Sequence, residues 1–418
     1  MRSAPAAERG FSPLDEELAL LPGPYSPYLV ESIVRLGVQL PFERVPAEMR
    51  HFTTTSVSVE TARRWTERAG AAQVALELAA VERLERETPD PPQGPAVQQL
   101  SVDGAMVPLV HGEWAEVKTM AIGTVEQRLT TAGEREAHTT DLSYFSRLTD
   151  AETFGRLTLV ETYRRGTETA GRVCAVLDGA VWQQGVIDLH RPDAVRILDF
   201  PHAGEHLSTA AHALLGSGPE AKGWITTQLH NLKHEDPDAV LAALRTREPS
   251  AAVIDLSAAR AVRDGAVRYL EERREQIAYA AFRAQGYPIG SGSVESANKL
   301  VVEARLKGAG MRWAREHVNP MVAVRALLCS DRWDAAWPGI WQQLRQEVAT
   351  RRCQTRAARA ARRAVVPAAL PPPVEEVPAA APILPDTPPR GAREKLIVDG
   401  KPTRNHPWKR SFLTQRAS

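Results

Sequence analysis

Leu100-Ser-Val-Asp-Gly104 closes an apolar run, and what surrounds it decides the fold. Alternation and β-branched residues mark 97–110 as one strand, 113–125 as a second and 138–147 as a third. A helix is expected over 150–165, with Asp150 as its cap. Arg172-Val-Cys-Ala-Val-Leu-Asp-Gly179 then repeats the opening pattern, an apolar run ending in Asp-Gly. Residues 195–200 read as a further short buried strand, and a helix begins near 203. Strands and helices in this order describe an α/β domain.

Working outward, residues 26–70 have a helical pattern. A helix starting at Pro41-Phe-Glu-Arg44 is expected to reach 52, and 53–58 read as a turn. Ser58 suits an N-cap for a second helix that Gly70 would end. A third helix is expected over 71–88, before Pro89-Asp-Pro-Pro-Gln-Gly94 breaks the chain. Beyond the strands, 205–285 reads as helical throughout, with helices at 223–233, 237–246 and 259–282. Gly290-Ser-Gly-Ser-Val-Glu295 then turns into a helix over 294–307, followed by helices at 319–328 and 336–350. From 351 onward Ala-Arg repeats give way to a Pro-rich run that cannot bury a core.

The 418 residues suffice for two or three domains, and 43% hydrophobic with 25% charged content fits a globular core. The formal net charge is only +1, so an anionic partner requires local concentration of positive charge. Arg63, Arg64 and Arg68 form one cluster, and Arg351, Arg352, Arg356, Arg359, Arg362 and Arg363 form another. The three cysteines, Cys174, Cys329 and Cys353, have neither zinc-site nor disulfide-framework spacing. With no apolar leader and no run long enough to span a bilayer, a soluble, cytoplasmic protein is expected. Gly290-Ser-Gly292 lacks the Lys and spacing of a phosphate-binding loop.

Three carboxylates carry the chemistry. Asp103 and Asp178 end apolar strands, and Glu295 opens a helix. Two strand-borne acids and one helix-borne acid suit hard divalent cations, and two ions about 3.5–4 Å apart clamp both oxygens of a phosphodiester displacement. Each acid also has a plainer reading. Asp-Gly is a common turn. Glu295, with Ser293 as N-cap, would be stabilised by the helix dipole and could pair with Lys299. Asn298, Lys299, Val302 and Arg305 share its face at helical spacing, which suits a phosphate track or a solvated face. The two helices around 53–58, with Arg63, Arg64 and Arg68 on the second, read as a helix-turn-helix or as an ordinary helical hairpin.

Leu100-Ser-Val-Asp-Gly, Glu116-Val-Lys-Thr, Ser143-Tyr-Phe-Ser-Arg147, Leu177-Asp-Gly-Ala-Val-Trp, Ile197-Leu-Asp-Phe-Pro-His202, Gly286-Tyr-Pro-Ile-Gly-Ser-Gly-Ser-Val-Glu-Ser and Arg305-Leu-Lys-Gly-Ala-Gly-Met-Arg-Trp313 follow in order. Together they resemble bacterial insertion-sequence transposases of the DDE type, nearest the Kra-type group and distantly the Mutator-like enzymes. The resemblance covers roughly 30–335 and touches the tail at Pro407-Trp-Lys-Arg410.

The resemblance implies an α/β ribonuclease-H-like catalytic core with an all-helical insertion. An α-helical helix-turn-helix region would precede it and a disordered tail follow. The expected divisions are a poorly structured 1–25, a DNA-binding 26–89, core segments 96–204 and 286–350, an insertion over 205–285 and a basic tail 351–418. Asp103, Asp178 and Glu295 would hold two Mg²⁺ or Mn²⁺ ions, with Asp199 and His202 as a supporting pair or Asp199 as the alternative second acid. DNA contacts would fall to Arg63, Arg64, Arg68, Lys299, Arg305, Lys307, Arg312 and Trp313. Partners would be double-stranded DNA, as terminal inverted repeats and target, and further copies of the chain. A structure-selective nuclease and a non-catalytic helix-turn-helix protein are the alternatives.

Overall fold

The computed structural model describes residues 21, 25–129, 133, 135–251, 253–364, 397–398 and 401–402. The Pro-rich run after 364, the Pro407–Arg410 tail and most of 1–25 lie outside the described residues. Contacts divide the chain into two units, 1–358 and 359–418.

The first unit is built on a five-stranded sheet in the order β3-β2-β1-β4-β5. Its strands are β1 (Val97–Pro108), β2 (Trp114–Leu129), β3 (Arg135–Arg147), β4 (Arg172–Leu177) and β5 (Val195–Leu198). β1, β2 and β3 form an antiparallel meander, whereas β4 pairs parallel with both β1 and β5. Parallel neighbours cannot be joined by a tight turn. The chain therefore crosses over between β4 and β5 through a helix that was not expected from sequence, Val181–His190. The segment expected as one helix over 150–165 is two, Ala151–Leu157 and Leu159–Arg164, the first capped by Asp150 as anticipated.

Both faces of the sheet are covered. Leu100, Val102, Ala175 and Leu177 pack with Val81, Phe154 and Val186 on one side. On the other, Ala105, Val107 and Val117 meet Val294, Val301 and Val322, while Val176 and Ile197 meet Leu207, Leu270 and Tyr279. The helical stretch expected over 205–285 is present. It comprises α7 (Phe200–Leu215), α8 (Pro219–His234), α9 (Pro237–Thr246), α10 (Leu256–Glu271) and α11 (Tyr279–Ala284), which number after the three N-terminal helices and the three between β3 and β5.

The N-terminal helices are α1 (Pro27–Gln39), α2 (Val45–Thr53) and α3 (Val59–Glu87). Ser58 caps α3 as expected, but Gly70 does not end it; the helix runs 29 residues to a left-handed Thr88. Gly70 instead allows a close crossing, since a Cβ there would stand 2.1 Å from the Pro320 carbonyl oxygen. Residues 26–89 fall within the first unit. Val30, Ile33, Val34, Trp65 and Ala69 share one core with Val107, Val117, Val301 and Trp333.

The expected helix over 294–307 is interrupted. α12 (Gly292–Ala297) passes into a π turn (Asn298–Glu303) and then α13 (Ala304–Leu306). α14 (Arg315–Cys329) follows, and α15 (Trp333–Ala364) runs past 350, where a break was expected. Ala and Arg are strong helix formers, which explains the extension. The second unit holds the end of α15 and a short ladder of β6 (Ile397–Val398) with β7 (Lys401–Pro402). No described helix is long and apolar enough to cross a membrane.

Arg305 ties these parts together. It is 2% exposed. Its guanidinium lies 4.6 Å from the Phe42 ring centroid and 5.0 Å from that of Trp313, and Nε donates to the Gly37 carbonyl at 3.1 Å. Burial, reinforced by nearby Arg325, pushes it down to about 10. Arg305→Ala is expected to cost roughly 3.5–5 kcal/mol, the sum of a desolvated cation–π contact and a charged hydrogen bond. Lys307→Ala should be near neutral. Denaturant melts check both, and a single transition in each case is expected because the N-terminal helices and the sheet share one core.

Candidate active site

The sheet register sets three acids in a row. β1 and β4 pair as far as Leu100 with Ala175, and the same offset places Asp103 level with Asp178. β4 and β5 pair as far as Leu177 with Leu198, which places Asp178 level with Asp199. Residues directly opposite in a sheet project to the same face. Asp178 and Asp199 directly follow their strands, at the carboxyl ends where open α/β sheets place ligands. Asp103, Asp178, Asp199 and Glu295 all line one cleft of about 160 Å³, with His202, Glu205 and Ser291. Sequence reasoning named all of these acids except Glu205, whose i,i+3 spacing from His202 on α7 was the available signal.

Each acid is held differently. Asp103 lies inside β1, not at a turn; Oδ1 accepts from the Gly104 N–H at 2.7 Å and Oδ2 from Asn298 Nδ2 at 2.8 Å. The π turn carries Asn298, and such local widenings of a helix cluster at functional sites. Asp178 Oδ1 accepts one bond, from the Ala180 N–H at 2.9 Å. Asp199 is buried and fully engaged. Oδ2 accepts from the His202 N–H at 3.1 Å, capping α7, and Oδ1 accepts from the Ser291 N–H at 2.7 Å. It thereby fastens the loop that leads into the Glu295 helix. Glu295 is exposed, accepts from Ser291 Oγ at 3.2 Å and stands 4.0 Å from Lys299. The expected Ser293 cap is not formed; Ser291 precedes the helix.

Asp178 is also positioned through its backbone. Tyr269 Oη donates to the Asp178 carbonyl at 2.8 Å, and Arg273 Nη2 donates to the Gly179 carbonyl at 3.2 Å. The Tyr269 ring stacks on His206 at 3.9 Å, and the Arg273 guanidinium lies 3.9 Å from its centroid. Gly179 has φ +89°, and a Cβ there would meet both Tyr269 Oη and Arg273 Nε at 2.7 Å. The helical insertion thus holds the Asp178 turn. Tyr269 and Arg273 were missed because nothing in a Tyr and an Arg at and just beyond the end of a distant helix announces their target.

The acids strain one another. Burial raises the Asp103 carboxyl above the ordinary aspartate range, and the charges of Asp178 and Glu116 add to the rise against the bonds from Gly104 and Asn298. Burial likewise raises Asp199, with Glu295 adding to it. Four carboxylates with mutual repulsion form a donor set that fits hard divalent cations such as Mg²⁺ or Mn²⁺. Among the described residues no three His, Cys, Asp or Glu side chains already converge tightly enough to hold an ion.

The expected DNA-contacting residues separate into two kinds. Arg64, Lys299, Lys307 and Arg312 are exposed. Arg305 and Trp313 are buried, Arg305 over the Phe42 ring and Trp313 edge-on to it, so the expected basic face beside Glu295 reduces to Lys299; Asn298 and Val302 are buried too. The π turn over Asn298–Glu303 interrupts the α-helical spacing on which that face was drawn. Arg63 is bound within its helix to Glu60 at 2.8 Å and Glu67 at 3.0 Å. Arg68 is half-buried, its guanidinium 4.8 Å from the Trp65 ring. Lys307 pairs with Glu303 at 2.6 Å. Of the basic run after 350, Arg351, Arg352, Arg356 and Arg359 are exposed on α15, while the side chains of Arg362 and Arg363 lie outside the described residues. Neither protein-family models nor curated proteins give a match to this chain.

Both raised carboxyls keep their protons to higher pH folded than unfolded. Metal-free stability therefore falls as pH rises from the ordinary aspartate value through the raised ones. Asp103→Asn should lessen that fall and leave the metal-free protein more stable than wild type at neutral pH. The fold can accommodate it, because Asn298 Oδ1 is buried without a hydrogen-bond partner and its amide can turn to accept. Denaturant midpoints across pH, in chelator, check this.

Proposed function

We propose that this chain is a metal-dependent DNA strand-cleaving and strand-transferring enzyme, a DDE-type transposase. The observation that carries the reading is that Asp103, Asp178 and Glu295 line one cleft, where the β1–β4 register, carried three residues past its last pair, sets the two aspartates level. Two further features support it. The order β3-β2-β1-β4-β5, with only β1, β4 and β5 parallel, is the arrangement a ribonuclease-H-like core would have. The helices α7–α11 separate the second aspartate from the glutamate, as the resemblance implies.

Asp103 and Asp178 would hold divalent ions from the sheet, and Glu295 from the facing helix. Bound there, such ions would supply the Lewis acidity that generates a hydroxyl nucleophile and offsets charge on the leaving oxygen. Asp178 is the better second acid. It spends only Oδ1 on one backbone N–H, whereas Asp199 spends both oxygens on α7 and the 291 loop. Asp199 is therefore a positioning residue that sets where Glu295 stands. Asn298 orients Asp103, while Tyr269 and Arg273 orient the Asp178 turn. The exposed Arg64, Lys299 and Arg312 remain the surface cations for duplex DNA. Joining two transposon ends would require two such sites, and so at least a dimer on DNA.

With labelled transposon-end DNA and Mg²⁺ or Mn²⁺, Asp103→Asn, Asp178→Asn and Glu295→Gln should each abolish nicking and end joining without loss of DNA binding. Asp199→Asn should lower activity by roughly 10–100-fold, the cost of losing an outer partner. If Asp199→Asn were the more severe and Asp178→Asn the milder, the second acid would be Asp199. Nicking without any joined product would leave a nuclease and not a transposase.

A further inference from the structure

Beside the acidic cleft lies a second and larger cavity of about 430 Å³. The loop before Glu295 is the wall between them. Gly290, Gly292 and Ser293 line the larger cavity, while Ser291 and Glu295 line the smaller. β1 runs beneath both, since Gln99 lines one and Asp103 the other. These two project to the same face four residues apart, ~13 Å along a strand that rises ~3.3 Å per residue. A stacked nucleic-acid strand advances ~3.4 Å per nucleotide, so that separation corresponds to about four nucleotides, and fewer in an extended strand.

The walls are basic. Arg135 and His138 come from β3, Lys233 from α8 and Arg283 from α11, against a single acid, Glu136. Among the described residues the side chains of Arg135 and Lys233 have no ion-pair partner. In a chain of net charge +1, two unpaired cations on one cavity wall are a local concentration of positive charge. The floor is polar and ordered. Gln99 Nε2 donates to Ser293 Oγ and to Ser101 Oγ, each at 3.1 Å, and Thr139 Oγ1 donates to Gln99 Oε1. The floor therefore also touches the loop that sets Glu295. Cations spread over three elements suit a ligand with several separated phosphates better than a single small anion.

We propose that this groove is a strand-binding site that holds the phosphates of a nucleic-acid strand a few nucleotides from the bond in the acidic cleft. The proposal rests on the strand-cleavage reading and adds where the substrate strand runs. Arg135 and Lys233 grip its backbone at the rim, and the Gln99–Ser293 contact couples occupancy of the groove to the Glu295 loop.

The test uses the full chain carrying Asp103→Asn, which removes cleavage, and a labelled single-stranded oligodeoxynucleotide. Binding is followed by fluorescence anisotropy over a range of salt. Arg135→Glu with Lys233→Glu should weaken binding and flatten the slope of log affinity against log salt by about 0.7 unit for each lost phosphate contact, the single-strand value. Lys233→Glu alone, at a side chain with no described partner, should show half of that effect with an unchanged thermal melt. Unchanged affinity and slope in both variants, with the parent chain still binding the strand, would overturn the groove alone. Displacement of the strand by equimolar inorganic phosphate would also overturn it, by making the groove a small-anion site. A parent chain that binds no strand at all would overturn the strand-cleavage reading together with this proposal.

Discussion

Burial of carboxylates gathered into one cleft, with their mutual repulsion added, is the constraint on which the rest depends. Asp103, Asp178, Asp199 and Glu295 share that cleft, and burial penalises charge on two of them. A fold does not gather like charges without compensation. The backbone supplies part of it, through N–H groups of Gly104, Ala180, His202 and Ser291 aimed at carboxylate oxygens. A bound cation would supply the rest. The protein is built to keep the acids in place despite their repulsion.

That rigidity comes from every layer. Parallel pairing of β1, β4 and β5 sets the aspartates level, and crossover helices cover both faces so the register cannot slip without exposing one of them. The helical insertion reaches back through Tyr269 and Arg273 to the Asp178 turn. The segment carrying Glu295 is fixed at one end by Asp199 and at the other by buried Arg305, which reaches to Gly37 in the N-terminal helices. The N-terminal helices therefore support the site as well as offering Arg64 to solvent.

Much of this was legible in the sequence, and the failures have physical causes. Alternation located β1, β2 and β3 and short apolar runs located β4 and β5, whereas the β6–β7 ladder in the region expected to be disordered was not foreseen. The Val181–His190 crossover was invisible, since only the parallel pairing of β4 with β5 demands it. Gly70 was read as a stop because glycine commonly ends helices, yet here it admits Pro320. Arg305 was read as a surface cation because helical spacing put it beside Glu295, and the π turn could not be foreseen. Asp178 and Glu295 were found because one follows a strand and the other opens a helix; Asp103 was found because it ends an apolar run, although β1 continues past it to Pro108, and Asp199 through the resemblance. Glu205, Tyr269 and Arg273 were not, because their meaning lies in contacts across the fold.

The central claim is that Asp103, Asp178 and Glu295 form one divalent-cation site. Anomalous scattering from crystals grown with Mn²⁺ tests it most directly. Manganese density between these three carboxylates, lost in the Asp103→Asn protein, is the expected result. Crystals saturated with Mn²⁺ that show no density in this cleft, or density elsewhere with the three acids unligated, would contradict it.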